Sequence, residues 1–209
     1  MEPDDKGKRA GRPRGFDREA ALDAALILFW ERGYEGVELR DLTGAMGIHA
    51  PSFYAAFGDK RRLFHEAADR YETLYMAQVA AALDAAPTAR AAAHALFRLS
   101  AELFTRPGAP RGCFLTVSAV NCGLANQVIA DDLARRRAEG VLAIRKRLER
   151  ALRDRDLPAS TDLDELAIYV ATVASGLSMQ ARDGAGCSAL LATAERAASA
   201  IPTVPPRSR

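Results

Sequence analysis

Residues 39–54 read LRDLTGAMGIHAPSFY, and this stretch decides the fold of the N-terminal part of the chain. Its spacing predicts two short helices, the first of which carries on one side the apolar residues Leu39, Leu42 and Met46. Gly47 separates the two helices, because glycine adopts the positive φ of a tight turn at little cost. The second helix is predicted over residues 50–57, with Pro51 in the first turn, where its missing N–H leaves no helical hydrogen bond unmade. Two short helices joined in this way form a helix-turn-helix.

The flanking residues extend this pattern to a compact unit of three helices. Asp17 is placed to cap a helix that runs to about Arg32, and Gly33 ends it. In the last of the three helices, Phe53 and Phe57 lie one turn apart and are predicted to face the core. The side chains left to point outward at this helix are those of His49, Ala50, Ser52 and Tyr54.

A basic segment precedes the three-helix unit. Residues 6–14 (KGKRAGRPR) contain five cations and no acid. Because the residues 1–15 are charged and rich in Gly and Pro, we expect a flexible arm that neutralises phosphates. Beside a helix-turn-helix, such an arm is expected to follow or enter the minor groove while the short helix enters the major groove of duplex DNA. The candidate DNA contacts in the arm are Lys8, Arg9, Arg12 and Arg14.

The composition is typical of a helical protein. Apolar residues make up 49% of the 209 residues, and aromatic residues make up only 7%. This balance, with abundant alanine, favours helices packed through small side chains over a β-sandwich, so the predicted fold class is all-α. The net charge of +2 excludes a polycation, and the arm therefore supplies the phosphate attraction locally.

The sequence contains no signal for a catalytic, metal or cofactor site. The three cysteines fit neither a disulfide framework nor a CxxC site, and the three histidines are scattered, so neither a metal nor a cofactor is predicted. No apolar run approaches the length of a membrane span, and the N-terminus lacks the apolar core of a signal peptide. We therefore expect a cytoplasmic protein that is not an enzyme.

The second half of the chain also predicts helices, which are longer than those of the first half. Thr88 is placed to cap one, and a long helix is predicted over about residues 126–155. The basic triplets of the long helix, RRR at 135–137 and RKR at 145–147, are interpreted as a solvated face with salt bridges to neighbouring acids. In the next helix, over about residues 162–182, small residues surround the apolar stripe, which favours a close helix–helix interface.

Residues 28–34 (LFWERGY), 46–48 (MGI) and 57–60 (FGDK) resemble the tetracycline-repressor (TetR) family of bacterial transcription regulators. The resemblance implies an all-helical fold in which three helices bind DNA and about six more form an effector-binding, dimerising domain. The last two helices of each subunit would form the homodimer interface. The implied division is an arm at 1–15, a DNA-binding domain at 16–62, an effector-binding and dimerisation domain at 63–202 and a tail at 203–209.

The family's DNA contacts carry over position by position. Tyr54 and Lys60 resemble residues that contact phosphates, and Ala50, Pro51 and Ser52 occupy the first turn of the base-reading helix. The other candidate contacts implied by the resemblance are Arg40, Thr43 and His49. The chain departs from the family pattern at residues 37–38, where a Thr or Ser commonly caps the second helix, so we expect that hydroxyl contact to be absent.

Cys113 is the candidate for chemistry outside the DNA-binding unit. It follows Arg111 and Gly112 and is predicted to lie in the first turn of a helix, where the helix N-terminus and the arginine both favour the thiolate. The segment RGCFL is similar to one in TetR-family regulators that sense electrophiles or oxidants. The alternative is that Cys113 is a small apolar residue packed in the core.

The resemblance also implies an effector pocket among the central helices. No cluster of charges converges there in the sequence, which favours an apolar or aromatic ligand. Each candidate wall residue has the alternative of being an ordinary core residue. The candidates are Phe97, Phe104, Cys113, Phe114, Val117 and Tyr169.

Taken together, these features predict a homodimeric repressor that reads a palindromic operator in double-stranded DNA. A small-molecule effector, electrophilic if Cys113 is the sensor, would release it by favouring a separation of the two reading helices that fits the operator poorly. One alternative is a constitutive architectural DNA-binding protein without an effector. The other is a helical enzyme, which would need a nucleophile–base pair or a metal constellation.

Overall fold

The computed structural model describes residues 16–119 and 122–204, and these residues form helices without any β-strand. The first three helices are α1 (Arg18–Arg32), α2 (Leu39–Met46) and α3 (Ala50–Phe57). They are the predicted helix-turn-helix unit, and α3 has the predicted bounds. The arm with Lys8, Arg9, Arg12 and Arg14 lies outside the described residues, as do residues 205–209 of the predicted tail.

Helix α1 begins and ends at the residues that the sequence predicted. The carboxylate of Asp17 accepts hydrogen bonds from the backbone N–H groups of Glu19 at 2.9 Å and Ala20 at 3.2 Å. Gly33 follows the helix with a φ of 71°, and its N–H donates to the carbonyl oxygen of Phe29 at 2.8 Å. Both ends thus satisfy backbone groups that a helix terminus leaves without partners.

The turn between α2 and α3 has the predicted left-handed glycine. Gly47 lies at φ 66° and ψ 31°, the region that glycine enters at little cost. Phe53 and Phe57 are fully buried beneath the turn, so they fix which side of α3 faces the core. At the start of α2, the sequence has Val37 and Glu38 where a capping Thr or Ser is common. The backbone N–H of Glu38 donates instead to the carboxylate of Asp41 at 2.8 Å.

One continuous helix leads from the helix-turn-helix into the second half of the chain. It consists of α4 (Lys60–Tyr71), a π-helical turn (Glu72–Met76) and α5 (Ala77–Ala85). Helix α4 packs on α1, where the rings of Phe29 and Phe64 meet edge to face with centroids 5.0 Å apart. Because the backbone is not interrupted between α4 and α5, a movement of α5 also moves the base of the helix-turn-helix.

The remaining helices enclose the second half of the chain. They are α6 (Ala89–Phe104), α7 (Phe114–Val117), α8 (Gln127–Arg153), α9 (Leu163–Arg182) and α10 (Cys187–Ser199). If α4, the π turn and α5 are counted as one helix, six helices follow α3 in the described part of the chain, in agreement with the prediction. None of the helices within residues 16–119 and 122–204 combines the length and the apolar character needed to cross a membrane.

Residues 112–118, which we call the junction segment, attach the helix-turn-helix to the rest of the molecule. The indole Nε1–H of Trp30 donates to the carbonyl oxygen of Gly112 at 3.1 Å. The backbone N–H of Tyr34 donates to the carbonyl oxygen of Ser118 at 2.8 Å. From α9, the guanidinium of Arg182 donates to the carbonyl oxygen of Trp30 at 3.2 Å. The end of α1 is therefore held by the junction segment and by α9.

The two basic triplets of α8 form the predicted salt bridges, among them Arg136 with Asp132 and Arg145 with Glu149, but they do not form one solvated face. Arg136 is 9% exposed and Arg147 is 5% exposed, and Arg147 donates to the carbonyl oxygen of Ala86 at 2.7 Å. Arg135 does follow the prediction, since it pairs with Glu139 at 2.6 Å on the surface. The prediction of one solvated face was wrong because successive helical residues are rotated by about 100°, so three adjacent side chains cannot all share one solvated face.

Gly112 gives a test of how tightly the junction segment is packed. It has a φ of 83°, and a Cβ at this position would lie 2.9 Å from the carbonyl oxygen of Ser178. Gly108 is a matched control, because it has a φ of 77° but nothing within 4 Å of the added carbon. We expect Gly112→Ala to lower the free energy of unfolding by at least about 2 kcal/mol more than Gly108→Ala, since only the first adds a clash to the backbone strain.

Urea unfolding followed by circular dichroism measures both variants. Equal losses at the two positions would contradict the argument, because they would mean that α9 has room to move away from the junction segment.

Candidate DNA-binding surface and effector cavity

The predicted reading face of α3 is exposed and uninterrupted. Tyr54 is 55% exposed, and its ring rests edge to face against the buried ring of Phe53, with centroids 5.5 Å apart. The surface therefore presents one aromatic hydroxyl beside a first turn of small side chains. The exposed residues at the start of α3 are His49, Ala50, Pro51 and Ser52.

Lys60 is held in place by an aromatic ring. Its Nζ lies 4.2 Å from the centroid of the Tyr34 ring, in a cation–π arrangement. Burial lowers the pKa of Lys60, and the carboxylate of Glu35 offsets part of this effect. The side chain thus has a defined position at the start of α4, on the same end of the molecule as α3.

Two further cations lie in the first turn of α4, and the sequence analysis did not select them. Arg61 and Arg62 are exposed, and Arg62 approaches Glu66 at 3.5 Å. Asp59 caps this helix by accepting the N–H of Arg62 at 2.7 Å. The sequence does contain a signal for these two phosphate-contact candidates, namely the run KRR at residues 60–62 directly after the capping Asp59. Three successive cations in one helical turn point in different directions, so at least one of them is exposed.

The two candidate contacts on α2 differ in their availability. The side chain of Arg40 is 80% exposed, and its Nε approaches Glu38 at 3.1 Å. Thr43 is half-buried, and its hydroxyl lies 3.0 Å from the carbonyl oxygen of Leu39 and 3.1 Å from that of Arg40. Arg40 is thus free to reach outward, whereas the Thr43 hydroxyl already has an intrahelical partner.

A cavity of about 540 Å³ lies between the π turn, α5, the junction segment, α8 and α9. Its wall is mainly aliphatic, and small residues on α8 and α9 leave the space open. The aliphatic wall residues are Met76, Val79, Leu83, Leu96, Leu115, Val141, Ile144 and Ile168, and the small ones are Ala80, Ala138, Gly140, Ala143, Ala171 and Ala174. Such a wall suits an apolar ligand.

Of the six predicted wall residues, the structure places only Cys113 in the wall of this cavity. Phe97, Phe104 and Phe114 are at most 3% exposed and fill the core between helices. Val117 lines a smaller cavity of about 110 Å³ beside Cys122, and the Tyr169 hydroxyl donates to the carbonyl oxygen of Ala197 at 3.1 Å. Large aromatic side chains fill space, so the open volume lies instead where aliphatic and small side chains meet.

A cluster of ionisable side chains lies at the polar side of the cavity. Arg136 lines the cavity together with Glu72, to which it is hydrogen-bonded, and it also contacts Asp132 at 2.9 Å and Asp69 at 2.7 Å. His65 Nδ1 lies 2.9 Å from the same Asp132 carboxylate. We call these five residues the Arg136 cluster. It connects α4 and the π turn to α8.

The Arg136 cluster is ionised by mutual stabilisation. Burial raises the pKa of Asp132, but hydrogen bonds from Arg136, Arg135 and His65 outweigh it and lower this pKa to about 2. Burial acts against the charge of Arg136, and its hydrogen bonds to Asp132 and Asp69 overcome this and raise the pKa of Arg136. Asp132 and Arg136 therefore both remain charged at neutral pH, although burial acts against the charge of each.

Cys113 lies at a different place from the one that the sequence predicted. It is the residue before α7, not a residue of its first turn, and it is 7% exposed. Its N–H donates to the Oγ of Ser178 at 2.7 Å. The guanidinium of Arg111 is bound elsewhere, because it donates to the carbonyl oxygens of Ala181 at 2.7 Å and of Ala185. The arginine that was expected beside the thiol is thus anchored at the end of α9.

The described residues contain no group of three or more His, Cys, Asp or Glu side chains that is arranged to hold a metal ion. Cys113, Cys122 and Cys187 are free thiols. Cys122 lies outside α7 and α8, so it does not share a helix with Cys113.

Two family models match the chain. The model described as "Bacterial regulatory proteins, tetR family" matches residues 21–67, and the model described as "Tetracyclin repressor-like, C-terminal domain" matches residues 89–195. The first match contains α2, α3 and the start of α4, with the exposed residues described above. The second contains α6 to α9, including Cys113 and most of the cavity wall.

Curated relatives and a solved structure agree with these matches. The HTH-type transcriptional repressor ComR of Escherichia coli (strain K12) is 35% identical over 185 residues, which cover 88% of each chain. The HTH-type transcriptional repressor BdcR of the same organism is 29% identical over 209 residues, which cover 93% of each chain. A cysteine mutant of the TetR family transcriptional regulator CifR, complexed with a 26-base-pair operator DNA, has 43% identity and a TM-score of 0.89 over 92% of this chain and 100% of that chain. The chain described here therefore belongs to the tetR family of bacterial regulatory proteins and is a DNA-binding transcriptional regulator with a helix-turn-helix.

Proposed function

We propose that the protein is a homodimeric repressor that binds a palindromic operator through α3 and leaves it when a small electrophile reacts with Cys113 in the cavity. The observation that carries this proposal is the position of Cys113: its side chain lines the cavity, and the residue before it is bonded to Trp30 of α1. Two adjacent residues, Cys113 and Gly112, thus contact the ligand space and the helix-turn-helix, respectively.

The DNA-binding half of the proposal is supported by exposure and charge. The small exposed residues at the start of α3 would enter the major groove and contact base edges, with Tyr54 and Lys60 on phosphates. Arg61 and Arg62 would add phosphate contacts in the first turn of α4. Residues 16–62 form this DNA-binding part, and the arm at 1–15 is proposed to reach the minor groove. Because it binds DNA, we place the protein in the bacterial cytoplasm.

The dimer is supported by an exposed face on α9 that continues from the open side of the cavity, which Ile168 and Thr172 also line. Ile168 is 56% exposed and Met179 is 41% exposed, and the exposed Thr172 and Gly176 lie between them at intervals of one turn. A stripe of apolar and small residues at this spacing suits the close approach of a second α9. We propose that α9 and α10, within the effector-binding and dimerising part at 63–202, pair with the same helices of a second copy.

The effector is proposed to be apolar because aliphatic residues dominate the cavity wall. Two contacts would transmit its binding to the DNA-binding part. The junction segment holds α1, and the Arg136 cluster holds α4. The effector shifts the equilibrium only by the difference between its affinities for the two arrangements of the dimer.

A constitutive architectural DNA-binding protein is the alternative, and the cavity beside the junction segment favours a response to a ligand instead. We propose no enzymatic reaction, since the family to which the chain belongs consists of regulators.

Substitutions on the DNA surface should separate affinity from sequence preference. Tyr54→Phe and Lys60→Ala should each weaken binding about three- to thirtyfold on every DNA sequence, because phosphate contacts carry no sequence information. Ser52→Ala should instead change which bases are preferred at one position of the half-site. Fluorescence anisotropy with the protein's own upstream DNA, scrambled DNA and single-base variants measures all three. Unchanged affinity of both the Tyr54 and Lys60 variants would contradict the phosphate assignments.

The thiol part of the proposal is tested by treating the operator complex with acrolein, a small unsaturated aldehyde. Acrolein should release the wild type from the operator, whereas Cys113→Ser should stay bound. Cys187→Ser is the matched control, because this half-buried thiol lies at the start of α10 outside the cavity, and its variant should respond like the wild type. Release of the Cys113→Ser variant at the same acrolein concentration would rule out Cys113 as the sensor.

The Arg136 cluster gives a third prediction. Arg136→Met leaves three carboxylates without their shared cation and should lower the free energy of unfolding by about 2–4 kcal/mol. Arg135→Met is the matched control: Arg135 is 56% exposed, so its loss should cost at most about 1 kcal/mol. Urea unfolding measures the loss, and anisotropy measures whether more or less effector is needed for release. Equal costs for the two variants would show that Arg136 does not join α4 to α8.

A further inference from the structure

The hydroxyl of Tyr71 is buried without a hydrogen-bond partner. Tyr71 is the last residue of α4 and is fully buried, with its ring edge to face against Trp30 at 4.9 Å between centroids. Among residues 16–119 and 122–204, its hydroxyl oxygen has no partner at hydrogen-bond geometry. An unpaired buried hydroxyl costs about 1–3 kcal/mol, so a phenylalanine at this position would pack as well at a lower cost. The hydroxyl therefore calls for an explanation other than packing.

The side chain of Cys113 and the backbone N–H of Phe114 both lie near the Tyr71 hydroxyl. Burial raises the pKa of Tyr71 well above its ordinary value, and the Cys113 side chain raises it further. The tyrosine thus stays protonated and is able to donate its hydrogen. The ring also lies 5.5 Å from that of Phe114, the neighbour of Cys113, which fixes the two side chains against each other.

The charged groups on the cavity wall are committed to other partners. Arg136 is bound by the carboxylates of its cluster, Glu72 among them. Arg137 donates to the carbonyl oxygen of Leu115, and Glu139 pairs with Arg135. From α9, Ser178 accepts the N–H of Cys113, and Ser175 also lines the cavity. A thiolate at Cys113 would therefore be stabilised by a neutral donor, and the Tyr71 hydroxyl is a buried donor near it.

We propose that Tyr71 donates a hydrogen bond to the Cys113 thiolate and so makes this cysteine the nucleophile for α,β-unsaturated carbonyl compounds in the cavity. This inference rests on the proposed function, in which Cys113 is the sensor. Tyr71 acts through Cys113 and is a positioning residue. A hydrogen bond to a charged acceptor is stronger than one to a neutral acceptor, so the donor favours the thiolate over the thiol.

The reaction is a simple addition. The thiolate sulfur forms a bond to the β-carbon of the unsaturated carbonyl, the π bond between the α- and β-carbons breaks, and its electron pair passes to the enolate. The enolate takes a proton from solvent at the α-carbon, which replaces the proton that the thiol released. No leaving group, oxidant or reductant is required. The product is a neutral thioether, a weaker acceptor for Tyr71, so the reaction also loosens a contact of α4.

The test measures the rate of acrolein addition at Cys113 in the full-length protein, by mass spectrometry of the peptide that contains it, between pH 5 and pH 10. Tyr71→Phe should slow the reaction about tenfold at pH 7 and shift the midpoint of the rate–pH profile upward by about one unit. Tyr75→Phe is the matched control. Tyr75 belongs to the same aromatic cluster, with its ring centroid 5.2 Å from that of Tyr71, and its hydroxyl accepts from Arg106 at 3.2 Å. This variant should react at the wild-type rate.

Two further measurements separate this role from a structural one. Because the hydroxyl has no other partner, Tyr71→Phe should melt at the same temperature as the wild type or higher, whereas a structural hydrogen bond would make the variant less stable. A fluorinated tyrosine at position 71, which has a more acidic hydroxyl and keeps the fold, should speed the reaction.

Equal rates and equal pH profiles in the wild type and Tyr71→Phe would overturn the inference, and so would preferential reaction at Cys122 or Cys187. If those equal rates came with release from the operator, the proposed function would stand without Tyr71. If instead the addition at Cys113 depended on Tyr71 but left operator affinity unchanged, the hydrogen bond would stand and the proposed function would fail.

Discussion

The hydrogen bond from the Trp30 indole to the carbonyl oxygen of Gly112 is the contact on which the arrangement of the two halves depends. Both residues are buried, so separating them would leave two polar groups unpaired at a cost of about 1–3 kcal/mol. The end of α1 and the start of the junction segment therefore move together. The segment is in turn fixed to α9, because Cys113 N–H donates to Ser178. A displacement of α9 thus reaches the helix-turn-helix without passing through α4.

A second connection runs through the Arg136 cluster. Arg136 on α8 holds Asp69 of α4 and Glu72 of the π turn, and all three groups lie beside the cavity or next to its wall. Since α1 and α4 pack on each other through Phe29 and Phe64, the two connections act on one rigid unit. Two attachment points fix the orientation of α3 as well as its position. This matters for a dimer, because both reading helices must match the spacing of the DNA grooves at once.

The parts of the structure that the sequence predicted are those that depend on neighbours in the chain. Asp17, Gly33 and Gly47 set the helix ends through bonds within a few residues, and the bounds of α3 follow from them. The cavity wall was not predictable in this way, since it depends on which sides of α8 and α9 face each other after packing. The burial of Arg136 has the same origin, because two of its three carboxylate partners come from α4 and the π turn and not from its own helix. The role proposed for Tyr71 was not predictable either, since nothing local shows that its hydroxyl lies near Cys113.

Cys113 lies at the meeting point of three contacts, the last of which is made by Gly112. Its side chain lines the cavity, its N–H binds α9, and the carbonyl group before it binds Trp30. Its neighbours Phe114 and Tyr71 are fully buried, so an added group has room only on the side of the cavity. Because protein interiors are packed as densely as organic crystals, volume added at such a point is passed on as a shift of backbone. The position of the Cys113 sulfur therefore determines which part of the backbone shifts when a reagent is added to it. A reagent of a few atoms is large enough to cause this shift.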